Sequence, residues 1–595
     1  MSPKGGIRKR QMEAARSPSP KSSRGTKSKT TDHRGGIRRR IHEASSTSSA
    51  PSGSRLLESI RRDWGQGKLS AKQVVDYMYG AEEQGATGLP RVASEDHPQN
   101  LHRSLLAAFG KPQGSPDFVW VDVPTTKGMM AHPFLLPHAW FAEMHKSNTT
   151  LWQNVIGGQP DAAPLYWQNV VRSPFLQKHP HLTASNLNYT IPVGLHGDAG
   201  AFSNNDGLFA FSWDSLVSQG TTRNTRYVIT VLKKSLITEG TMEVVSKVMG
   251  WSFNVLLSGM HPSVDWEGRT LPERGEYLAQ RWRGALCQVR GDWEFFGSYL
   301  ELPKWNEVVR MCWLCQASGS SNDLRYTRCD EEAPWRATRR SHEQFVAETE
   351  ARGGKVAPIF RYAAGLRVEC VMIDVLHTAD LGITCHIIGN IIWECIVGKK
   401  WAGTTYEANL SMCTKDLDNF YRTNKTTSKL QGKLTLERVR ASGDWPKLKC
   451  KAAAARHLAP FALQLAEQHL DGRRVALCTL LVRFYGIMNE EGQFLSDRAK
   501  AEFPGIGRRI CMLYSQLAAE SAEKGHKFWK ATPKLHLFQH VCEWQGVESG
   551  NPRFYWCYAD EDLVGQLIEV AEACHAKTMA VTAMHKWLTL QFSEH

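Results

Sequence analysis

Two aspartates follow short apolar runs of the chain and have glycine neighbours. Asp198 lies in HGDAG, after the run Tyr189–Leu195, and Asp292 lies in RGDWEF, after the run Gly284–Arg290. Carboxylates at strand ends offer the oxygen ligands that hard divalent cations prefer, and two acids held close together need a cation to offset their repulsion. We therefore interpret both residues as ligands of Mg²⁺ or Mn²⁺. A turn aspartate that binds its own backbone is the alternative for each.

A third acid and an Asp–His pair lie much further along the chain. Glu561, in ADEDLVG, is in the first turn of a predicted helix together with Asp560 and Asp562. Acids favour helix N-termini because of the helix dipole, so this position alone does not select one of the three. Asp374 and His377, in IDVLH, are one helical turn apart and could contact a metal or DNA, with a capping pair as the alternative.

A cysteine pair has the spacing of half a zinc site. Cys312 and Cys315 form the sequence CWLC, and a closed zinc site needs two further ligands. We interpret Cys329 and His342, which follow at suitable distances, as those ligands, with His377 as a further candidate. Cysteines of an ordinary reduced core are the alternative.

Three other histidines are of interest for their positions. His196 precedes the first acid by two residues and is retained as a further polar candidate. His536 and His540, in HLFQH, are one helical turn apart. Because they lack the glutamate of an HExxH motif, a metalloprotease site is disfavoured.

The elements that must position these residues have the order of an RNase H-like fold. Strands are predicted at Tyr189–Leu195, Gly207–Trp213 and Arg226–Lys233, an amphipathic helix at Thr241–Leu257, and a fourth strand at Gly284–Arg290. In that fold the first and fourth strands lie side by side. The order therefore predicts that the acids following these two strands are neighbours.

Composition along the chain divides it into six segments. We predict an α/β core of RNase H-like type with a mixed sheet, combined with an all-α part and interrupted by two insertions. The segments are a disordered basic arm (1–55), a helical and irregular N-terminal region (56–185, irregular from about 116), the first part of the core (186–300), a Cys-containing insertion (301–370), a helical insertion (371–555) and a C-terminal helix that completes the core (556–595). Within the helical insertion, the periodicity predicts helices at Val371–Ile396 and Asp497–Glu523, among others.

The positive charge is concentrated in the arm. Residues 1–55 carry 14 Lys and Arg against 3 Asp and Glu, whereas the rest of the 595 residues carry 59 against 56. Such an arm is typical of nuclear import or of phosphate binding, and a solubilising tail is the alternative. We expect nuclear localisation and DNA contacts from its two basic repeats, Arg8, Lys9, Arg10, Arg38, Arg39 and Arg40. The most apolar stretch, Leu381–Gly398, is too short and too polar to cross a membrane.

Five blocks of the chain resemble those of CACTA (EnSpm) transposases and related DDE elements. They are HGDAGAFSNNDG, GDWEFFGSYLELPKWNEVVRMCWLC, IDVLHTADLGITCHIIGNII, TPKLHLFQHV and EDLVGQLIEV, in this order between about residues 190 and 595. The resemblance implies that Asp198, Asp292 and Glu561 are catalytic acids that hold two divalent metal ions. It also implies that Cys312 and Cys315 bind zinc within an insertion, and that DNA is the substrate.

The expected function is therefore DNA strand cleavage and transfer by a DDE triad with Mg²⁺ or Mn²⁺. One alternative is a catalytically inactive, transposon-derived nuclear DNA-binding protein that keeps the fold and the zinc insertion. Another is an interaction protein that uses the helical block and the 20 tryptophans as a binding surface. The chain has no P-loop, no GxGxxG after a strand, no GxSxG elbow and no kinase motifs, which disfavours those chemistries. Whether it forms homo-oligomers is left open.

Overall fold

The structure is a computed structural model that describes residues 53–92, 98–272, 274–426 and 428–592. Most of the basic arm lies outside these ranges. The residues predicted to bind DNA are among those outside: Arg8, Lys9, Arg10, Arg38, Arg39 and Arg40.

A β-hairpin precedes the main sheet. Strand β1 (Val119–Thr125) pairs antiparallel with β2 (Gly128–Phe134). The prediction of an irregular segment from about residue 116 is wrong here. It followed from the prolines, but Pro124 and Pro133 are tolerated because both strands of a two-stranded sheet are edge strands.

Four strands form one mixed sheet. They are β3 (Thr190–Ala201), β4 (Gly207–Ser215), β5 (Tyr227–Lys233) and β6 (Arg283–Arg290), and their spatial order is β5-β4-β3-β6. β4 is antiparallel to both β3 and β5, whereas β6 is parallel to β3. The four predicted strands and the adjacency of the first and fourth are thus confirmed. The fold is a mixed α/β structure with a large helical part.

The described residues are otherwise mostly helical. The helices of eight residues or more are α1 Gly53–Gly65, α2 Ala71–Glu82, α3 Pro98–Phe109, α4 Pro137–Ser147, α5 Ala162–Asn169, α6 Glu239–Ser258, α7 His342–Glu350, α8 Cys385–Val397, α9 Tyr406–Asn424, α10 Ala459–His469, α11 Gly472–Glu490, α12 Asp497–Glu523, α13 Pro533–His540, α14 Tyr558–Glu572 and α15 Met579–Gln591. Shorter α-helices are Thr149–Trp152, Pro174–Lys178, Thr222–Thr225, Trp293–Ser298, Ile359–Tyr362, Leu436–Val439, Ala452–His457 and Gly546–Glu548. Single turns of 3₁₀-helix lie at Leu187–Tyr189, Lys234–Leu236, Pro334–Thr338, Val368–Cys370 and Pro552–Phe554, and π-helical segments at Gln153–Gly157, Leu376–Thr384 and Val541–Gln545.

The predicted helical insertion is helical. Helix α12 has the predicted bounds, and Ser496 caps its N-terminus by accepting a hydrogen bond from Ala499 N. The single helix predicted from Val371 is instead the π-helical segment followed by α8, because Gly382 has a non-helical backbone there. The stretch Leu376–Val397 is long and apolar enough to cross a membrane, but 78% of its most apolar window is buried inside the protein.

One large core runs from the sheet into the helical block, and a smaller one around Trp64 lies under α1–α3. Helix α6 packs against β6, α14 against β3, and α15 against β5. Close approach of α14 requires Gly200, since a Cβ at this position would lie 2.3 Å from Ile568 Cδ1. Helix α14 therefore packs directly on β3, the strand that carries Asp198.

Four charged side chains, which we call the ion cluster, join α14 to the sheet. Arg290 of β6 contacts Asp214 of β4 (Nη2–Oδ1, 2.6 Å) and Asp560 of α14 (Nε–Oδ2, 3.0 Å). Arg226 contacts the same two acids (Nε to Asp560 Oδ1, 2.6 Å; Nη1 to Asp214 Oδ2, 3.2 Å). The side chains of Arg290 and Asp560 are 1% and 0% exposed. Removing one member would leave a buried charge without its partner.

Substituting Arg290→Met tests this anchor. We expect a loss of about 3–5 kcal/mol in the free energy of unfolding, because Asp214 and Asp560 would remain buried with one guanidinium fewer. The measurement is the urea midpoint by circular dichroism. As a matched control, Arg483→Met removes two solvent-accessible pairs, with Glu490 and Glu502, and should cost about 1 kcal/mol or less. Equal midpoints for the two variants would contradict an anchoring role.

Candidate functional site

The parallel pairing of β3 with β6 brings two of the acids to the same end of the sheet. Beyond a bulge, the register pairs His196 with Arg290. Asp198 lies two residues after His196, still within β3, and Asp292 lies two residues after Arg290, where β6 has ended. The two carboxylates predicted to be neighbours therefore follow paired positions of adjacent strands.

Local packing explains the glycine before each acid. Asp292 caps the short helix Trp293–Ser298, with its Oδ1 accepting a hydrogen bond from Phe295 N at 2.7 Å. The ring of Phe295 then lies where a Cβ of Gly197 or Gly291 would be, at 2.1 Å and 2.3 Å respectively. Only glycine leaves this space, so the GD pairs serve to seat the helix that follows the second acid.

Helix α14 and the π-helical segment bring the third acid and a histidine to this end of the sheet. His377 Nδ1 lies 2.7 Å from Asp374 Oδ2, and its Nε2 lies 3.7 Å from Glu561 Oε1. Asp374 Oδ1 also accepts a hydrogen bond from the backbone N of Cys557 at 2.8 Å, just before α14. Asp374 therefore ties the segment that carries His377 to the helix that carries Glu561.

The charges of these residues perturb one another. Burial and the charges of Glu561 and Asp292 raise the pKa of Asp198 to about 7. Burial also raises the pKa of Glu561, against the effect of His377. Burial lowers the pKa of His377, but its hydrogen bond with Asp374 and the nearby carboxylates raise it overall. Asp198, Asp292 and Glu561 thus form one acid cluster, whose repulsion a divalent cation would relieve.

The acids of the acid cluster are spread more widely than the ligands of one tightly enclosed metal ion. Two other groups of described residues have three or more metal-binding atoms that all lie within 4.8 Å of one another, and these acids are not among them. Asp198 and Asp292 line a cleft of about 650 Å³. Acids spread around a cleft suit a cation such as Mg²⁺, which keeps several waters and shares its coordination with substrate oxygens.

A compact group, which we call the Cys/His cluster, is formed by Cys312, Cys315, His536 and His540. All four residues are buried, and their ligand atoms lie within 4.8 Å of one another. His540 Nε2 is 3.3 Å from Cys312 Sγ, and His536 Nε2 is 3.2 Å from Cys315 Sγ. This group could hold a metal ion, so the predicted cysteine pair belongs to a candidate metal centre.

In the Cys/His cluster, Cys312 and His540 have the protonation states that metal binding needs, whereas burial and the hydrogen bond with Cys312 raise the pKa of Cys315 well above its ordinary value. The backbone N–H groups of Leu314 and Ala317 donate to the sulfurs of Cys312 (3.3 Å) and Cys315 (3.4 Å). Burial opposes ionisation of Cys312, but hydrogen bonding with Cys315 and the neighbouring histidines holds its pKa well below the ordinary value. Burial lowers the pKa of His540 to about 4, so its ring is neutral. Metal binding needs thiolates and neutral imidazoles.

The prediction that Cys329 and His342 are zinc ligands is wrong. The Sγ of Cys329 donates to the carbonyl O of Thr327 at 3.2 Å and accepts from Gln539 Nε2 at 3.4 Å. The Nδ1 of His342 accepts a hydrogen bond from the backbone N of Val368 at 3.1 Å. Both predictions rested on closeness in sequence, whereas folding brings the other two ligands of the Cys/His cluster from a distant part of the chain.

The sequence does contain a signal for the two histidines that complete the Cys/His cluster. His536 and His540 lie one turn apart on α13 and present two ligands on one face of that helix, as CxxC does on its loop. Two such half-sites complete each other, and a comparison of the histidine pair with HExxH alone overlooks this. His377, the further zinc candidate, lies beside the acid cluster instead.

His196 is buried next to the ion cluster and is not a convincing metal ligand. Burial lowers the pKa of His196 to about 4, and with Cys557 and Asp560 it forms the other compact group. However, both carboxylate oxygens of Asp560 already contact the guanidinium groups of Arg226 and Arg290. A divalent cation there would be repelled by two buried positive charges.

The raised pKa of Asp198 predicts that its carboxyl favours folding at low pH and disfavours folding at high pH. Its carboxyl binds a proton more tightly in the folded chain, so folding loses stability as the pH rises from about 4 to about 7. Without divalent cations at pH 8, Asp198→Asn should therefore be more stable than wild type by on the order of 2 kcal/mol. Thermal unfolding checks this, and the difference should vanish near pH 4. Equal stabilities at both pH values would contradict it.

The chain was also compared with known proteins. No protein-family model matches it, and the search of curated proteins gives no match either. The chemistry of the site is therefore inferred from its residues and their geometry, and no family is assigned from these comparisons.

Proposed function

We propose that the chain is a metal-dependent polynucleotidyl transferase that cleaves and joins DNA strands, on an RNase H-like core of the DDE transposase type. The observation that carries the proposal is the acid cluster. Asp198 and Asp292 follow paired positions of parallel strands, and α14 brings Glu561 to them from near the other end of the sequence. Carboxylates from distant segments that are brought close together are costly to fold unless they hold cations.

The resemblance to CACTA transposases also supports the proposal. Its five blocks are spread over the greater part of the chain, yet the candidate ligands that they contain lie in two clusters. The first, third and fifth blocks, with the start of the second, contribute the acid cluster and His377. The end of the second block and the fourth block contribute the Cys/His cluster. Blocks that converge in this way are consistent with one nuclease site and one supporting metal site.

In this proposal the acid cluster binds two Mg²⁺ or Mn²⁺ ions. Asp198, Asp292 and Glu561 would hold these ions. Bound there, the ions supply Lewis acidity that activates a water or a 3′-hydroxyl and stabilises the leaving oxygen. The chain itself excludes water from one side of the acids by packing α14 on β3. Asp374 fixes the ring of His377 so that its Nε2 faces Glu561.

The Cys/His cluster fits a structural Zn²⁺. A tetrahedral zinc with Zn–S of about 2.3 Å and Zn–N of about 2.0 Å separates its sulfur and nitrogen ligands by about 3.5 Å. The distances from His Nε2 to Cys Sγ are 3.2 to 3.5 Å. Four protein ligands leave no position for substrate, so this metal would hold the insertion to α13 rather than take part in chemistry.

Nicking of supercoiled plasmid DNA in Mn²⁺ or Mg²⁺ tests the catalytic proposal. Wild type should convert the plasmid to open circles, and Asp198→Asn or Glu561→Gln should lower the rate by about a hundredfold or more, since each removes several kcal/mol of transition-state stabilisation by a metal. The matched control is Asp562→Asn, an exposed acid one residue further along α14 that accepts from Gln566.

The control decides between catalysis and general charge effects. Asp562→Asn should keep the wild-type rate. Equal nicking by wild type and Asp198→Asn would rule out the acid cluster as the active site. A wild type that binds DNA without nicking it in either metal would favour the inactive, transposon-derived DNA-binding protein.

Metal content tests the Cys/His cluster. We expect one zinc per chain by inductively coupled plasma mass spectrometry. His536→Ala should lose it and unfold at lower temperature, because a structural zinc contributes to folding free energy. Cys329→Ala and His342→Ala should retain the metal. Zinc loss in the last two variants but not in His536→Ala would contradict the assignment.

A further inference from the structure

A second cavity lies beside the acid cluster and is walled by aromatic rings. It has a volume of about 330 Å³, and its lining includes Trp293, Trp305 and Trp313. Asp292 and His377 also line it. Because Asp292 lines both this cavity and the larger cleft, a chain bound at the acids could extend from one into the other. We call this cavity the aromatic pocket.

One wall of the aromatic pocket is fixed. Trp313 is fully buried, and its ring packs edge-on against Trp293, with centroids 6.2 Å apart. The indole N–H of Trp293 donates to the carbonyl O of Pro303 at 2.9 Å. The indole N–H of Trp313 is buried and has no hydrogen-bond acceptor among the described residues. The fixed wall is therefore a rigid set of apolar rings.

The other wall, formed by Trp305, is exposed to solvent. The side chain of Trp305 is 63% exposed, and no aromatic ring packs against it within the described part of the chain. Lys534 borders the same pocket, and its Nζ donates to the carbonyl O of His377 at 2.7 Å. A large indole that is exposed beside the acids offers a face on which a planar ligand can stack. Three acids, among them Glu294, also line the pocket, so an uncharged planar group suits it better than an anion.

We propose that the aromatic pocket accepts an unstacked nucleobase from the DNA strand that is held at the acid cluster. The proposal rests on the proposed function, and it names the substrate as a strand with at least one base out of the stack. Stacking of a base on an aromatic side chain contributes about 1–3 kcal/mol, which offsets the few kcal/mol that unstacking costs. Trp305 supplies the open stacking face.

A nucleobase fits these features better than an apolar peptide side chain. Its flat face matches the indole walls, on which a base can stack. The pocket also opens beside the acids, so its ligand must accompany whatever phosphodiester they bind. This arrangement would place the base next to the scissile phosphate and hold that nucleotide in position.

The test is the binding of two fluorescein-labelled probes to the full chain by anisotropy, in Ca²⁺ so that strands stay intact. One probe is a 12-nucleotide oligo-dT, and the other is an abasic strand of the same length. Wild type should bind oligo-dT about tenfold more tightly than the abasic strand. Trp305→Ala should lose this difference while keeping its affinity for the abasic strand, and Trp305→Phe should restore part of it.

The control is Val309→Ala, which alters a 68% exposed side chain of the same loop that does not line the pocket. It should bind both probes as wild type does. If Trp305→Ala prefers oligo-dT as strongly as wild type does, the pocket proposal is overturned, and plasmid nicking by wild type would leave the nuclease proposal standing. Equal binding of the two probes by wild type would overturn the pocket proposal whatever the nicking assay gives.

Discussion

The ion cluster is the interaction on which the rest of the site depends. Arg290 lies two residues before Asp292, and Asp560 lies one residue before Glu561. The contact between Arg290 and Asp560 therefore fixes the end of the sheet and the start of α14 at the same point, directly beneath two of the acids. Two arginines and two aspartates balance in charge, so burial is tolerated only while all four stay together. The positions of Asp292 and Glu561 in the acid cluster therefore depend on the ion cluster.

Those elements that depend on local patterns could be predicted from the sequence. Alternating or continuous apolar residues defined the four strands, and helical periodicity defined α12 to the residue. The closeness of Asp198 and Asp292 was also predictable, because the strand order fixes which strand ends are adjacent. Glu561 was different: helix-start acids are common, and only the block resemblance distinguished it from Asp560, which belongs to the ion cluster instead.

Which distant segments come together could not be predicted from the sequence, although each half-site of the Cys/His cluster is visible in it. His536 and His540 join cysteines that lie far earlier in the chain, and no periodicity links the two half-sites. The β1–β2 hairpin was hidden by prolines that an edge strand tolerates, and the π-helical segment by the apolar run that continues into α8. The ion cluster was not anticipated either, since a buried arginine has no sequence signature until its acids are brought to it.

The most direct test of the account is crystallographic. A crystal soaked in Mn²⁺ should give two anomalous peaks about 3.5–4 Å apart, both within bonding distance of Asp198, one reaching Asp292 and the other Glu561. Peaks elsewhere, or none at these acids in crystals that bind the ion at other sites, would contradict the claim that three acids from distant segments form one cation-binding centre.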